Sequence, residues 1–108
     1  MAFTLKKSNS VKWPVSLQKA TDGGKFKKHT FTAIFKEFGR DEFNKLVGEG
    51  DEALGDAILV GWEGINGEDG EDLPFNKTNK KALLDDFTVM KALVEAYGKL
   101  IMGGAEKN

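Results

Sequence analysis

The first third of the chain alternates between apolar and polar residues, which is the pattern of β-strands with one buried face. In VKWPVSLQ, the residues Val11, Trp13, Val15 and Leu17 fall on one side, and polar residues fall on the other together with Pro14. Proline cannot donate to a β-ladder, so we expect this strand either at the edge of a sheet or with the Pro14 position facing solvent.

A second alternating stretch follows the turn sequence TDGG at residues 21–24. Asp-Gly and Gly-Gly readily supply the positive φ angles that tight hairpin turns require. In KFKKHTFTAIFKEF, the residues Phe31, Ala33 and Phe35 share one face. The pattern predicts an antiparallel hairpin or a three-stranded sheet over about residues 2–36, with AFTL near the start as the candidate third strand.

Beyond Gly39 the apolar period changes to that of amphipathic helices. RDEFNKLVGEG predicts a short helix that Gly48 and Gly50 end. EALGDAILVGW predicts a second helix, capped by Asp51 and running through Trp62.

The C-terminal part contains the longest predicted helix. A short helix over NKKALLDD, capped by Asn76 or Thr78, comes first, and Asp86 caps the long helix after it. Gly103 and Gly104 end the long helix. It carries an apolar strip made of Phe87, Met90, Val94, Tyr97 and Ile101.

These elements predict an α+β fold with an N-terminal antiparallel sheet followed by three to four helices. With 108 residues the chain fits a single domain, 1–108. Its β-rich part covers about 2–36, its helical part 40–102, and a flexible tail 103–108.

Two features of the composition bear on function: the distribution of charge along the chain and the absence of cysteine. The net charge is only -1. Residues 1–40 nevertheless carry nine basic and two acidic residues, whereas residues 41–76 carry one lysine and eleven acids. We expect the basic and acidic surfaces to face each other, within one copy or between copies, in preference to nucleic-acid binding. Without cysteine, disulfides, thiolate metal sites and a cysteine nucleophile are excluded.

The stretch GWEGINGEDGEDLPFN, from Gly61 to Asn76, is the most acidic part of the chain. Its acids and glycines do not match the spacing of an EF-hand calcium loop. We therefore expect a solvated connection between two helices, pinned to the core by Trp62, Leu73 and Phe75, with the acids of residues 63–72 in water.

Nothing in the sequence forms a catalytic set. His29 is the only histidine, so the common metal and nucleophile-base arrangements have no second partner. The glycine-rich stretches lack the Gly-Lys-Ser/Thr ending of a phosphate-binding loop. We expect a protein that is not an enzyme, with no catalytic, cofactor or metal site.

Three stretches carry a resemblance to a known family: KWPVSLQKATDGGKF, AILVGWEGINGEDGEDLPFN and LLDDFTVMKALVEAYGKLI. Taken in order, from about Trp13 to Ile101, they resemble the small tail assembly chaperones of long-tailed bacteriophages and prophages. The shared residues are structural and include no chemical signature.

The resemblance implies a non-catalytic assembly factor in the cytoplasm of the bacterial host. It implies binding to the phage tape measure protein, help in recruiting the tail tube protein, and absence from the mature virion. Self-association is a further expectation, and neither a signal peptide nor a membrane span is evident. The partner-binding candidates are the residues of the apolar strip, which are Phe87, Met90, Val94, Tyr97 and Ile101.

Two alternatives remain open. One is a structural tail component, such as a tube or completion protein. The other is a small nucleic-acid-binding protein that uses Lys25, Phe26, Lys27 and Lys28, because basic residues interleaved with an aromatic are typical of single-strand binders.

Overall fold

The computed structural model describes residues 9–102 and has an α+β fold. Its elements are, in order, β1 (Asn9–Thr21), β2 (Lys25–Glu37), α1 (Arg40–Glu49), α2 (Asp51–Ile58), β3 (Leu59–Glu63), α3 (Lys77–Asp85) and α4 (Phe87–Met102). The predicted α+β class, an antiparallel hairpin or three-stranded sheet with three to four helices, is confirmed, and residues 9–102 contain three strands and four helices. The AFTL segment and the predicted tail at 103–108 lie outside the described residues.

The sheet has the order β1-β2-β3, and both of its pairings are antiparallel. β1 and β2 pair over their whole length, from Asn9 opposite Glu37 to Thr21 opposite Lys25. The turn between them contains two glycines at positive φ, 87° and 77°, a conformation that side chains disfavour. The predicted hairpin and its apolar face are therefore confirmed.

The third strand is β3, and here the prediction of one helix through Trp62 is wrong. α2 ends at Ile58, and the next five residues form a strand in which all but Val60, at a β-bulge, pair with β2. Gly61 permits this close pairing, because a Cβ added there would meet Ile34 Cδ1 at 2.9 Å. LVGWE is a short apolar run, and its period alone does not distinguish a buried strand from a helix.

The helix boundaries follow from their caps. Asn76 Oδ1 accepts from the Asn79 amide at 2.8 Å, so Asn76 caps α3 as one of the two predicted candidates. The predicted cap at Asp51 is wrong, because Gly50 occupies the cap position without a side-chain bond and Asp51 begins the helix. Gly48 lies inside α1, and Gly50 ends it.

The core lies between one face of the sheet and α4, with α2 alongside. Its largest fully buried side chains are Tyr97, Phe35, Ile58, Leu59, Leu93 and Val15. Tyr97 packs edge-on against Phe35, with ring centroids 5.3 Å apart, and donates from its hydroxyl to the Lys36 carbonyl at 2.9 Å. Burial raises the pKa of Tyr97.

The hairpin extends beyond this core as an arm, residues 19–30. Every residue from 20 to 30 is exposed. Farther from the turn, in contrast, both strands have buried residues on one face, such as Val15 in β1 and Phe35 in β2. Phe26 in this arm is 65% exposed. The arm therefore offers both of its faces to solvent or to a partner.

Candidate functional site

The predicted apolar strip on α4 is divided between core and surface. Met90 and Tyr97 are 9% and 1% exposed and belong to the core, and Val94 is half-buried. Phe87 is 85% exposed and Ile101 is 46% exposed, at opposite ends of the helix. At 1.5 Å per residue these two lie about 21 Å apart, so the strip is not one continuous binding surface.

Phe87 borders a groove of about 840 Å³ that is open to solvent. Its walls are formed by α2, α3, the end of α1 and the start of α4. Leu84 and Met90 are its buried apolar residues. The complete lining is Glu49, Asp51, Glu52, Ala53, Asp56, Lys77, Lys81, Leu84, Asp85, Phe87 and Met90. A concave apolar floor with a polar rim is a common form of peptide-binding site.

Asp86 fixes the position of Phe87 at the start of α4. Its Oδ1 accepts from the amides of Thr88 at 2.9 Å and Val89 at 3.1 Å, which confirms the predicted cap. Its Oδ2 accepts from Lys19 Nζ on β1. The Lys19 hydrogen bond and charge, with the two amides, hold the pKa of Asp86 below its usual value against the opposing effect of burial.

The rim of the groove is mainly acidic. Glu49, Asp51, Glu52 and Asp85 are exposed, and they form no ion pair within residues 9–102. Asp56 is paired with Lys80, whose Nζ lies 3.2 Å from its Oδ1. Lys77 and Lys81, on the same helix as Asp85, contribute positive charge to the lining. The groove therefore suits a segment with apolar residues flanked by basic ones.

The joint between α1 and α2 shapes this rim. Gly50 connects the two helices with φ 109° and ψ 166°, a region that is essentially reserved for glycine. A Cβ built on Gly55 of α2 would meet Met90 Sδ at 2.9 Å, so α2 and α4 approach closely under the groove. Both glycines set the geometry of the groove without contributing side chains.

Trp62 and Leu73 hold the two ends of the acidic loop, residues 63–72, against the core as predicted. The prediction is wrong for Phe75, which is 41% exposed and packs against the Trp62 ring without entering the core. Trp62 Nε1 donates to the Leu73 carbonyl at 2.8 Å, and the centroids of the Trp62 and Phe75 rings lie 4.8 Å apart. All five acids of the loop are exposed. The loop joins a strand to a helix, however, and not two helices. Nowhere in residues 9–102 do three or more His, Cys, Asp or Glu gather in a way that could hold a metal ion.

The arm separates the residues that the nucleic-acid alternative requires. Lys25 and Lys27 lie on the same side of β2 as the buried Phe31, whereas Phe26 and Lys28 lie on the opposite side. His29 lies exposed opposite Leu17. The lysines and the aromatic ring that are interleaved in the sequence therefore do not all share one surface.

The groove was missed from the sequence because its lining comes from four different helices. Only Phe87 and Met90 were among the predicted site residues. One signal in the sequence could have indicated it. Phe87 is a large apolar residue directly after the cap Asp86, at the first position of a helix, which is commonly open to solvent.

A family model described as YdaY prophage protein matches residues 18–107 of the chain. Neither the curated proteins nor the solved structures give a match. In the part of the chain that the structure describes, no helix is both long and apolar enough to cross a membrane.

Proposed function

We propose a function from one premise, which is that this chain belongs to the YdaY prophage protein family. From this family and from the exposed Phe87 beside an apolar groove, we infer a binding protein. We propose that it is a non-catalytic tail assembly chaperone that binds the tape measure protein and helps the tail tube protein to assemble. In this role it acts in the host cytoplasm and is absent from the virion.

One observation carries this proposal: Phe87 is 85% exposed beside a groove whose floor is apolar. An exposed aromatic at such a groove is a candidate anchor for a partner side chain. A tape measure protein is expected to be a long helical protein, and amphipathic helices bind by inserting their apolar face into a groove. The acidic rim favours a helix whose apolar face is flanked by lysine or arginine.

The test is co-expression with the longest helix-rich protein encoded nearby. We expect that protein to remain soluble and to copurify with the wild-type chain. The variant Phe87→Ser should reduce copurification, because it removes the anchor but leaves the core unchanged. Val47→Ser is the matched control, since Val47 is also an exposed apolar residue on a helix and does not line the groove.

Further outcomes separate the alternatives. A loss of binding with Ile101→Ser as well as Phe87→Ser would extend the contact along α4. An insoluble partner with this chain left free would contradict the chaperone function. Stable incorporation of the chain into purified virions would favour a structural tail component instead.

A further inference from the structure

The hairpin arm concentrates positive charge on one of its faces. Lys19, Lys25 and Lys27 lie on the same side of the two strands, and Lys19 stands directly opposite Lys27. Like charges directly opposite each other destabilise an antiparallel pair. An arm that projects from the core with this arrangement is expected to gain stability from an acidic partner.

The arm's own chain neutralises only part of this charge. Lys19 is paired with Asp86, whereas Lys25 and Lys27 form no ion pair within residues 9–102. Both of these lysines are exposed. A partner that approached the arm would therefore meet two lysines that are already free of competing ion pairs.

The groove presents the complementary surface. Glu49, Asp51, Glu52 and Asp85 stand on its rim without ion pairs in the described part of the chain. Lysine side chains also carry long apolar stems that pack on aromatic rings while their ammonium groups reach polar atoms. Phe87 provides such a ring beside the acids.

We propose that the arm of one copy docks in the groove of a second copy. Lys25 and Lys27 face the acidic rim, and their stems cover Phe87. The arm and the groove are different patches of the molecule. Two copies that exchange arms, or several copies in a closed ring, therefore leave no arm undocked, whereas copies that do not close into a ring form an open chain. Arm docking occupies the groove in the absence of a partner, and it competes with any segment that binds there.

A second copy explains the arm better than a nucleic acid does. Single-strand binders combine phosphate contacts with base stacking on aromatic rings. Here Lys28 is the only lysine of the arm on the same face as Phe26, and Lys25 and Lys27 lie on the other face, so the ring and these two charges do not form one surface. The carboxylates of the acidic rim, in contrast, attract the lysines of the arm, and they would repel a phosphate backbone.

The experiment is sedimentation velocity of the full chain over a range of concentrations, at low salt and at roughly 1 M salt, where the Debye length falls to about 3 Å. We expect species larger than a monomer at low salt and dissociation at high salt. Lys27→Glu and Glu52→Lys should each raise the dissociation constant at least about tenfold, because like charges then face each other.

A charge exchange makes the test specific. Combining Lys27→Glu and Glu52→Lys in one chain should restore association, since the reversed arm then meets a reversed rim. Lys91→Glu is the control, because it makes the same change of charge on the exposed side of α4, outside the groove. It should leave the association unchanged.

Three results would overturn the proposal: a monomer at every concentration, equal effects of Lys27→Glu and Lys91→Glu, or no restoration in the double variant. Binding of a single-stranded oligonucleotide by a chain that stays monomeric would assign the arm to nucleic acid instead. Self-association is measured without any tail protein. Its failure is therefore distinct from a failure of the chaperone function, which is read from copurification.

Discussion

Lys19 on β1 and Asp86 at the start of α4 form an ion pair that joins the base of the hairpin arm to the longest helix. The same carboxylate caps α4 through its other oxygen. One side chain thus fixes both the beginning of the helix and its position against the sheet. Because Phe87 follows directly, this pair also places the exposed ring at the groove.

Replacing Asp86 separates its two roles. Asp86→Ala removes the cap and the ion pair, and it should lower the free energy of unfolding by about 1–2 kcal/mol. Asp86→Asn keeps a capping oxygen and removes only the charge, so it should cost about 0.5–1 kcal/mol. Urea denaturation of both variants measures the difference. Equal losses would show that the cap contributes nothing beyond the charge.

The lowered pKa of Asp86 predicts a pH dependence. A carboxyl whose pKa is lower in the folded state stabilises the fold fully above its unfolded pKa, near 3.9, and this contribution is lost as pH falls through the folded pKa. The advantage of the wild type over Asp86→Asn should therefore be present at neutral pH and disappear in acid. Denaturation at a series of pH values tests this, and a difference that stays constant into acid would contradict it.

The sequence predicted those features that depend on neighbouring residues. The hairpin and its buried face follow from strict alternation around TDGG. The cap at Asp86, and Asn76 as one of two candidate caps for α3, follow from residue type before an apolar period. The strand β3 was missed because its partners in β2, from Phe35 opposite Leu59 to Thr32 opposite Glu63, lie 24 to 31 residues earlier in the chain. Likewise, the period of α4 predicted a strip but did not indicate which of its residues the sheet would cover.

The Trp62 anchor should control the order of the acidic loop. Trp62→Phe keeps most of the buried ring and removes the donor to the Leu73 carbonyl. We expect a loss of about 1–2 kcal/mol in the free energy of unfolding, since a part-buried carbonyl loses its partner. Hydrogen exchange should become faster at the Leu73 amide, which donates to Ile65 at 2.8 Å. Unchanged exchange in the loop would show that the Trp62 bond does not hold it.

Gly50 should be intolerant of a side chain. Its φ of 109° is a conformation that L-residues rarely adopt, although a Cβ there would meet no other atom within 4 Å. Gly50→Ala should therefore cost about 1–3 kcal/mol from backbone strain alone. Gly48→Ala is the control: it lies inside α1 without positive φ and with the same open space, so it should stabilise by up to about 1 kcal/mol. Thermal unfolding of the pair should move in opposite directions.

A buried and an exposed residue of α4 give the last prediction. Met90→Ala should lower the free energy of unfolding by about 2–5 kcal/mol, because it opens a cavity under the groove. Phe87→Ser should change it by no more than about 0.5 kcal/mol, since the ring is 85% exposed. Chemical denaturation of both variants checks this. A large loss with Phe87→Ser would place that ring in the core, and a loss of partner binding could then no longer be read as removal of an anchor.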